Sequence, residues 1–150
     1  MKTEEEVKAR LRDLFANQQL AVLATQYVGQ PYASLVAYAG TDDLKEIFFA
    51  TPRTTRKYRN LTADPRVALL INSSENKPSD IHRAVAVTAT GVAGDVPSHA
   101  QDRFLKLYLK RHPHLKDFIE APSTVLVRVT VDCYYMVKNF QKVMELHINR

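Results

Sequence analysis

Short apolar runs separated by turn residues constrain the fold more than any other feature of this sequence. Leu20 to Thr25 is the first run, Gly29-Gln30-Pro31 marks a turn, and Tyr32 to Ala39 resumes the apolar pattern. Asp42-Asp43 then precedes a third run at Ile47 to Ala50. Runs of this length between glycine, proline and aspartate are typical of strands joined by tight connections. The sequence therefore predicts a meander of three strands.

Further strands and a few helices are predicted along the rest of the chain. Thr3 and Glu6 have the spacing of a capping box, which predicts a helix to about Asn17. The other predicted elements are a short helix from Thr54 or Thr55 to about Thr62, a strand at Val67 to Asn72, a polar loop at Ser73 to Asp80, a strand at Ala84 to Val96 with a bulge or bend at Gly91 and Gly94, a helix at His99 to Arg111, and strands at Thr124 to Val137 and Val143 to Ile148. We expect a mainly β (α+β) fold, an antiparallel barrel or sandwich.

The length and composition predict one domain that spans residues 1–150. The chain has 150 residues, of which 45% are hydrophobic and 25% charged, as in an ordinary globular domain. Its longest apolar stretches are far shorter than the roughly 20 residues that a membrane helix needs. Glutamates at positions 4 to 6 do not resemble the basic start of a secretory signal. We therefore expect a cytoplasmic protein without a membrane segment.

Cysteine and histidine spacing gives no metal site from the sequence. Cys133 is the only cysteine, which excludes an internal disulfide and a thiolate-rich metal site, and its strand-like surroundings predict a small buried side chain. His112 and His114 have no companion ligand at suitable spacing, so we expect a polar loop after the helix. His82 is expected to be a loop histidine, and no nucleophilic triad follows from these spacings.

The net charge of +5 arises largely from one segment. Residues Arg53 to Arg59 include four cations and no acid, a pattern that favours an anionic ligand. A single-stranded nucleic acid is disfavoured as that ligand, because the segment has one aromatic residue, Tyr58, and lacks the interleaved stacking residues of such binders. We therefore predict no nucleic-acid partner.

The strongest chemical signal is the strand at Phe48 to Ala50, which leads through Thr51 into Thr55-Arg56-Lys57. Backbone N–H groups at a helix start, threonine hydroxyls and two cations can converge on a phosphate dianion. The alternative is a solvated basic helix face with an ordinary threonine cap. Both interpretations remain open on the residues alone.

The same segment resembles the phosphate-binding stretch of the FMN-binding split-barrel family, the pyridoxamine 5′-phosphate oxidase-like proteins. The resemblance covers most of the chain. It extends to Tyr58-Arg59-Asn60-Leu61, Asp64 to Leu70, Leu23-Ala24-Thr25 with Gly29 and Pro31, Ala33 to Val36, and Val87 to Gly91. It implies an antiparallel split β-barrel with a few flanking helices, and a flavoprotein.

The resemblance also assigns roles to particular residues. It implies that the FMN phosphate is bound by Thr55, Arg56 and Lys57, with Thr51 contributing at the strand end. It places the ribityl chain and flavin edge along the backbone of Phe49 and Ala50. It places the isoalloxazine against Ser34, Leu35 and Val36, with Asn72 as a donor to the polar rim of the ring.

A homodimer follows from the same resemblance, because the flavin of this family lies at a two-fold interface. The partner's contribution is expected from the region of Phe140 and Gln141. We also expect Tyr134, Tyr135, Phe140 and Val143 to present apolar surface that a second subunit covers.

The expected activity is an FMN-dependent oxidoreductase that transfers electrons or hydride between NADH or NADPH and an unidentified small-molecule substrate. True pyridoxamine phosphate oxidases end in a segment rich in Trp and Arg, whereas this chain has no Trp, which argues against a B6 vitamer. No catalytic residue is assigned, since the flavin itself performs the redox chemistry. The alternatives are a non-catalytic flavin-binding or storage module, and a haem or deazaflavin binder on the same fold.

Overall fold

The computed structural model describes residues 3–139 and 142–149. The strands are β1 Leu20–Tyr27, β2 Gln30–Gly40, β3 Glu46–Pro52, β4 Arg66–Asn72, β5 Val85–Asp95, β6 Thr124–Lys138 and β7 Lys142–His147. The α-helices are α1 Glu4–Asn17, α2 Arg56–Ala63, α3 Asp80–Arg83, α4 Gln101–Arg111 and α5 Lys116–Glu120. Short 3₁₀ turns at Ser98–Ala100 and Pro113–Leu115 flank α4.

All strands belong to one antiparallel sheet that closes on itself. The order is β3-β2-β1-β4-β5-β6-β7, and an additional pairing of β3 with β6 closes six of these strands into a barrel. The seventh strand, β7, pairs with β6 and lies outside the closed barrel. The barrel with flanking helices confirms the predicted fold class.

The barrel is split between β2 and β3. These two strands pair at Tyr38 with Phe49 and at the next two residue pairs, but no further. Beyond that point β2 continues along β1 as far as Gln30, whereas β3 continues along β6 as far as Pro52. The two strands therefore separate, and the opening between them lies at the end of the barrel where α2 begins.

One face of α1, the first helix of the chain, belongs to the core of the barrel. Val7, Leu11, Leu14 and Phe15 recur at helical spacing and are all buried against the barrel core. Thr3 caps the helix, since its hydroxyl accepts a hydrogen bond from the Glu6 N–H at 3.2 Å. The amphipathic pattern and the cap thus form as the sequence predicts.

A second core forms between the barrel wall and α4. Successive strand residues face opposite sides, so Phe49 points into the barrel while Phe48 points towards α4. The Phe48 ring meets the ring of Phe104 edge-on, with centroids 4.9 Å apart. This second core fixes α4 beside the split between β2 and β3.

The predicted bulge occurs at Gly91. Between Thr90 and Gly91 the register of β5 against β6 shifts, so that Asp132 is an extra residue on β6. A Cβ on Gly91 would lie 2.2 Å from the Thr130 carbonyl oxygen, which explains glycine at this position. Gly94 stays in regular register opposite Arg128.

The predicted polar loop after β4 forms as far as Ser79, and the helices α3 and α5 lie outside the predicted elements except for Asp80. One local prediction is wrong. His112 does not lie in a polar loop: it is 1% exposed, and its Nε2 is 2.7 Å from the Tyr38 carbonyl oxygen. The backbone of β2 supplies this partner, and the residues around His112 in the sequence do not indicate it.

No helix in the described ranges is long and apolar enough to cross a membrane.

Candidate functional site

Thr55 organises the start of α2 at the open end of the barrel. Its hydroxyl accepts a hydrogen bond from the Tyr58 N–H at 3.3 Å, which makes Thr55, and not Thr54, the N-cap. The same hydroxyl donates to the Pro52 carbonyl at 3.0 Å and lies 2.7 Å from the hydroxyl of Thr51. The end of β3 and the start of α2 are thereby joined by a compact pair of hydroxyls.

The first turn of α2 has two backbone N–H groups without an acceptor in the described residues. Tyr58 and Arg59 N–H groups find acceptors at Thr55, whereas no acceptor for the N–H groups of Arg56 and Lys57 is found in residues 3–139 and 142–149. Such unsatisfied donors occur at helix N-termini, where the helix dipole also favours negative charge. This turn can therefore donate two backbone hydrogen bonds to an anion.

The cations of this segment lack acidic partners. No carboxylate of the described residues lies within 4.0 Å of Arg53, Arg56, Lys57 or Arg59. Arg53 instead donates to the Pro122 carbonyl at 3.1 Å. Lys57 is half-buried, and this burial lowers its pKa. The segment therefore carries positive charge that no neighbouring residue neutralises through a direct ion pair.

Two tyrosines hold the arginines in place. The Arg56 guanidinium lies over the ring of Tyr32 with its carbon 5.7 Å from the centroid, and Arg59 lies over Tyr27 at 4.6 Å. Both tyrosines belong to the β1–β2 hairpin. These cation–π contacts orient the side chains without neutralising their charge.

Buried polar atoms with unused hydrogen-bonding capacity lie near α2. Asn60 of α2 donates to the Thr25 hydroxyl at 3.1 Å, while its Oδ1 has no partner among the described residues. The Ser34 hydroxyl is also buried without a partner in that part of the chain. Ser34 is a diagonal neighbour of Thr25 on the same face of the β1–β2 pair. Burying such atoms unpaired is costly, so they are candidates for contact with a bound group.

The site residues assigned by resemblance fall into three places. Thr51, Thr55, Arg56 and Lys57 lie together at the junction of β3 and α2. Ala50 adjoins them at the point where β3 leaves β2. The structure thus brings together the whole set that was assigned to a phosphate.

The residues assigned to the flavin ring do not share one surface. Val36 and Phe49 are buried in the barrel core, and the backbone of Phe49 pairs with strands on both sides. Leu35 and Asn72 lie on the outer face of the sheet, and the Asn72 Oδ1 accepts a hydrogen bond from the Ser74 N–H at 2.9 Å. Ser34 alone combines burial with an unpaired polar atom. The ring contacts remain predictions.

An apolar surface lies on the outer side of β1, β2 and β4. In register across three strands, Leu35 of β2 is opposite Val22 of β1, which is opposite Leu70 of β4. Leu35 is 63% exposed and Leu70 39% exposed. A contiguous exposed apolar face of this kind is typical of an interaction surface.

The interface residues expected from the sequence need correction. Tyr134 is fully buried, and its hydroxyl donates to the Leu44 carbonyl at 2.7 Å, so its assignment to the surface was wrong. Val143 is exposed as expected and Tyr135 is half-buried. Phe140 and Gln141 lie outside the described residues. The exposed apolar surface is centred instead on β1, β2 and β4.

Tyr108 is a site-forming residue that sequence reasoning missed. Its hydroxyl donates to the Ala37 carbonyl at 3.0 Å, at the point where β2 and β3 part. Burial raises the pKa of Tyr108 to about 12. The helical spacing of Phe104 and Tyr108 identified a buried face of α4, but nothing local indicated which backbone groups it would meet.

The closed barrel, its split and the cationic helix start define a split-barrel protein with a candidate phosphate site. A family model described as pyridoxamine 5′-phosphate oxidase matches residues 7–138, and the chain belongs to this family. The family resemblance inferred from the sequence is thereby confirmed. No match was found among curated proteins.

Solved structures share this fold. A heme binding protein from Mycobacterium smegmatis superposes with a TM-score of 0.83 at 20% identity, covering 98% of this chain and 59% of that chain. A protein from Clostridium acetobutylicum related to general stress protein 26, of the pyridoxinephosphate oxidase family, gives 0.74 at 15% identity, covering 98% and 97%. A FAD-binding protein from Mesorhizobium loti gives 0.68 at 20% identity, covering 87% and 90%. This chain thus spans less than two thirds of the mycobacterial protein.

Proposed function

We propose that this protein binds FMN and acts as a flavin-dependent oxidoreductase. The observation that carries the proposal is the cluster of Thr55, Arg56 and Lys57 at the open end of the split barrel, which offers two N–H groups and two cations but has no acidic partner in the described residues. A phosphate monoester matches this donor set in charge and geometry. The FAD-binding relative on the same fold adds support for a flavin.

The chain's own residues would each do a limited task in flavin binding. The N–H groups of Arg56 and Lys57 donate to phosphate oxygens, and the two side chains neutralise the dianion. The Arg56 side chain is held by Tyr32. The buried Ser34 hydroxyl is free to donate to a polar atom of the bound group.

Bound FMN would supply reversible hydride and electron transfer, with NADH or NADPH as donor and a small molecule as acceptor. The protein's part is to hold the flavin and keep one ring face accessible. No acid or base of this chain is assigned to a proton-transfer step, because the described site contains hydroxyls, amides and cations.

We further propose that two copies of the chain form the complete site. In a single chain Arg56 is exposed, and the apolar face with Leu35 and Leu70 is uncovered. A two-fold partner on this face would cover it and enclose the neighbouring flavin. Of the β6–β7 surface that the sequence suggested, Tyr134 is excluded because it is buried, whereas a contribution of Tyr135 and Val143 to the dimer stays a prediction.

Haem is the second candidate, favoured by the heme binding protein that shares the fold. Haem requires an axial ligand rather than a phosphate clamp. A third possibility, a non-catalytic flavin-binding or storage module, uses the same phosphate site but does not turn over.

An absorption spectrum of the freshly purified protein separates these functions. Flavin absorption is expected, and a dominant Soret band would contradict the proposal in favour of haem. Titration calorimetry should then give much tighter binding of FMN than of riboflavin, which lacks the phosphate. Reduction of the bound flavin by NADH or NADPH in stopped flow would support an enzyme, whereas a flavin that neither nucleotide reduces would support the storage module.

A further inference from the structure

Three side chains with metal-binding atoms meet on the outer side of the β6–β7 pair. Cys133 of β6 lies directly opposite His147 of β7 in register. Glu145 precedes His147 by two residues, and strand residues two apart project from the same face. Directly opposed residues also share a face, so the ladder brings a thiol, an imidazole and a carboxylate together.

The separations of the three ligand atoms are close to those in a metal site. The His147 Nε2 is 3.9 Å from the Cys133 Sγ and 3.4 Å from the Glu145 Oε1. All three atoms lie within 4.8 Å of one another. A tetrahedral zinc ion, with bonds of about 2.3 Å to sulfur and about 2.1 Å to nitrogen and oxygen, separates its ligand atoms by about 3.3 to 3.6 Å. Small side-chain rotations would therefore bring the three atoms onto one ion.

The ligand types decide which ion fits. Thiolate and imidazole ligands suit zinc and similar transition metals, whereas calcium and magnesium take oxygen ligands. We propose that Cys133, Glu145 and His147 form a binding site for a divalent transition-metal ion of the zinc type. Three protein ligands leave one tetrahedral position for water or an external ligand.

The three ligand side chains differ in exposure to solvent. Cys133 is 4% exposed, whereas the side chains of His147 and Glu145 are 70% and 52% exposed. An ion would therefore approach from the exposed pair and reach the thiol beneath it.

This site is independent of the proposed flavin function. It lies on the β6–β7 pair, whereas the phosphate cluster, formed by Thr55, Arg56 and Lys57, lies at the junction of β3 and α2. The sequence could not indicate it, because Cys133 and Glu145 are twelve residues apart and meet only through the register of the hairpin. Failure of flavin binding would leave this proposal unaffected.

Cobalt titration of the metal-free full-length chain tests the proposal. Cys133 is the only cysteine, so a sulfur-to-cobalt charge-transfer band in the near ultraviolet reports this residue alone. We expect one Co²⁺ per chain, displaced by Zn²⁺. Cys133→Ser should abolish the band. His147→Gln and Glu145→Gln should each weaken Co²⁺ binding at least about tenfold, because each removes one of only three protein ligands.

His114→Gln is the matched control, since His114 is an exposed histidine outside the cluster. It should leave the cobalt affinity unchanged. His147 and Glu145 are exposed, so their variants are expected to fold, and circular dichroism verifies this even if Cys133→Ser does not fold. Absence of the band in the wild-type protein, or equal Co²⁺ affinity of wild type and a folded His147→Gln variant, would overturn the proposal.

Discussion

The hydroxyl of Tyr108 donates a hydrogen bond to the Ala37 carbonyl at 3.0 Å, at the residue where β2 and β3 part. Ala37 is the first residue of β2 beyond the last β2–β3 pair, so it has no opposite residue on β3. The Tyr108 hydroxyl supplies a partner to this carbonyl and so stabilises the edge of β2 at the opening of the barrel.

We expect Tyr108→Phe to destabilise the protein. The substitution keeps the ring but leaves the Ala37 carbonyl without this partner, which costs about 1 to 3 kcal/mol. Urea unfolding measures the change in the free energy of unfolding. Tyr27→Phe is the control, because the exposed Tyr27 hydroxyl has no hydrogen bond within the described chain. Equal stability of both variants would remove Tyr108 from this role.

The phosphate cluster predicts a loss of FMN affinity on removal of its cations. Arg56→Ala combined with Lys57→Ala should weaken FMN binding by about 2 to 5 kcal/mol in total, since hydrogen bonds to charged groups contribute roughly 1.5 to 3 kcal/mol each. Titration calorimetry gives the affinity. Lys106→Ala combined with Lys110→Ala removes two exposed cations of α4 and should have no effect. Unchanged affinity in the first variant would restore the solvated-face interpretation.

FMN binding and dimer formation should be linked. A ligand that binds only the dimer shifts the subunit equilibrium towards it. Sedimentation velocity with and without FMN measures this shift. Leu35→Asp should favour the monomer, whereas Leu107→Asp, an exposed leucine on α4, should not. A flavin-loaded species with the mass of one chain would refute the shared site.

We expect the burial of His112 to make the free energy of unfolding depend on pH. Burial is the main cause that lowers its pKa below the usual value of 6.5, and the charge of Arg111 lowers it further. The hydrogen bond to the Tyr38 carbonyl opposes this shift. Below about pH 6.5 the unfolded chain therefore binds a proton that the folded chain does not. This contribution to stability is complete above about pH 6.5 and decreases as the pH falls towards the lower folded pKa.

The corresponding measurement is urea unfolding between about pH 5 and pH 7.5, the interval in which histidine titrates. His112→Gln should flatten the slope of stability against pH, whatever its effect on absolute stability. His82→Gln, a change at an exposed histidine of α3, should keep the wild-type slope. An identical slope in all three proteins would contradict the assignment to His112.

We expect the two glycines of β5 to differ in how well they tolerate substitution by alanine. A Cβ on Gly91 would lie 2.2 Å from the Thr130 carbonyl oxygen, whereas a Cβ on Gly94 would have no atom within 4 Å. Gly91→Ala should therefore destabilise by about 1 to 3 kcal/mol through overpacking. Gly94→Ala should change stability by less than about 1 kcal/mol. Thermal unfolding of the two variants is sufficient to compare them.

Much of the local structure could be predicted because it depends on residues close together in the chain. The period of Val7, Leu11 and Leu14 is that of a helix face, and Thr55 precedes α2 at capping distance. The apolar runs from Leu20 onwards have the length and composition of strands. Family resemblance then extended these elements to a split barrel and placed a phosphate at Thr55, Arg56 and Lys57.

Tertiary structure alone decided which distant groups meet. It buried Tyr134 and His112 by giving each a backbone carbonyl partner from another element. It also decided which face of β2 joins the core, so that Val36 is buried in the barrel while Leu35 is exposed on the outer face.

By itself the sequence determined the order of the strands, the helices α1, α2 and α4, and the positive segment that follows β3. The fold decided that Thr55 caps α2, where β2 and β3 part, which carbonyl Tyr108 meets, and that Cys133, Glu145 and His147 come together. The physical reason is the separation along the chain over which each interaction acts. Periodicity and capping act between residues two to four positions apart, whereas strand register and helix docking depend on the simultaneous packing of the whole barrel.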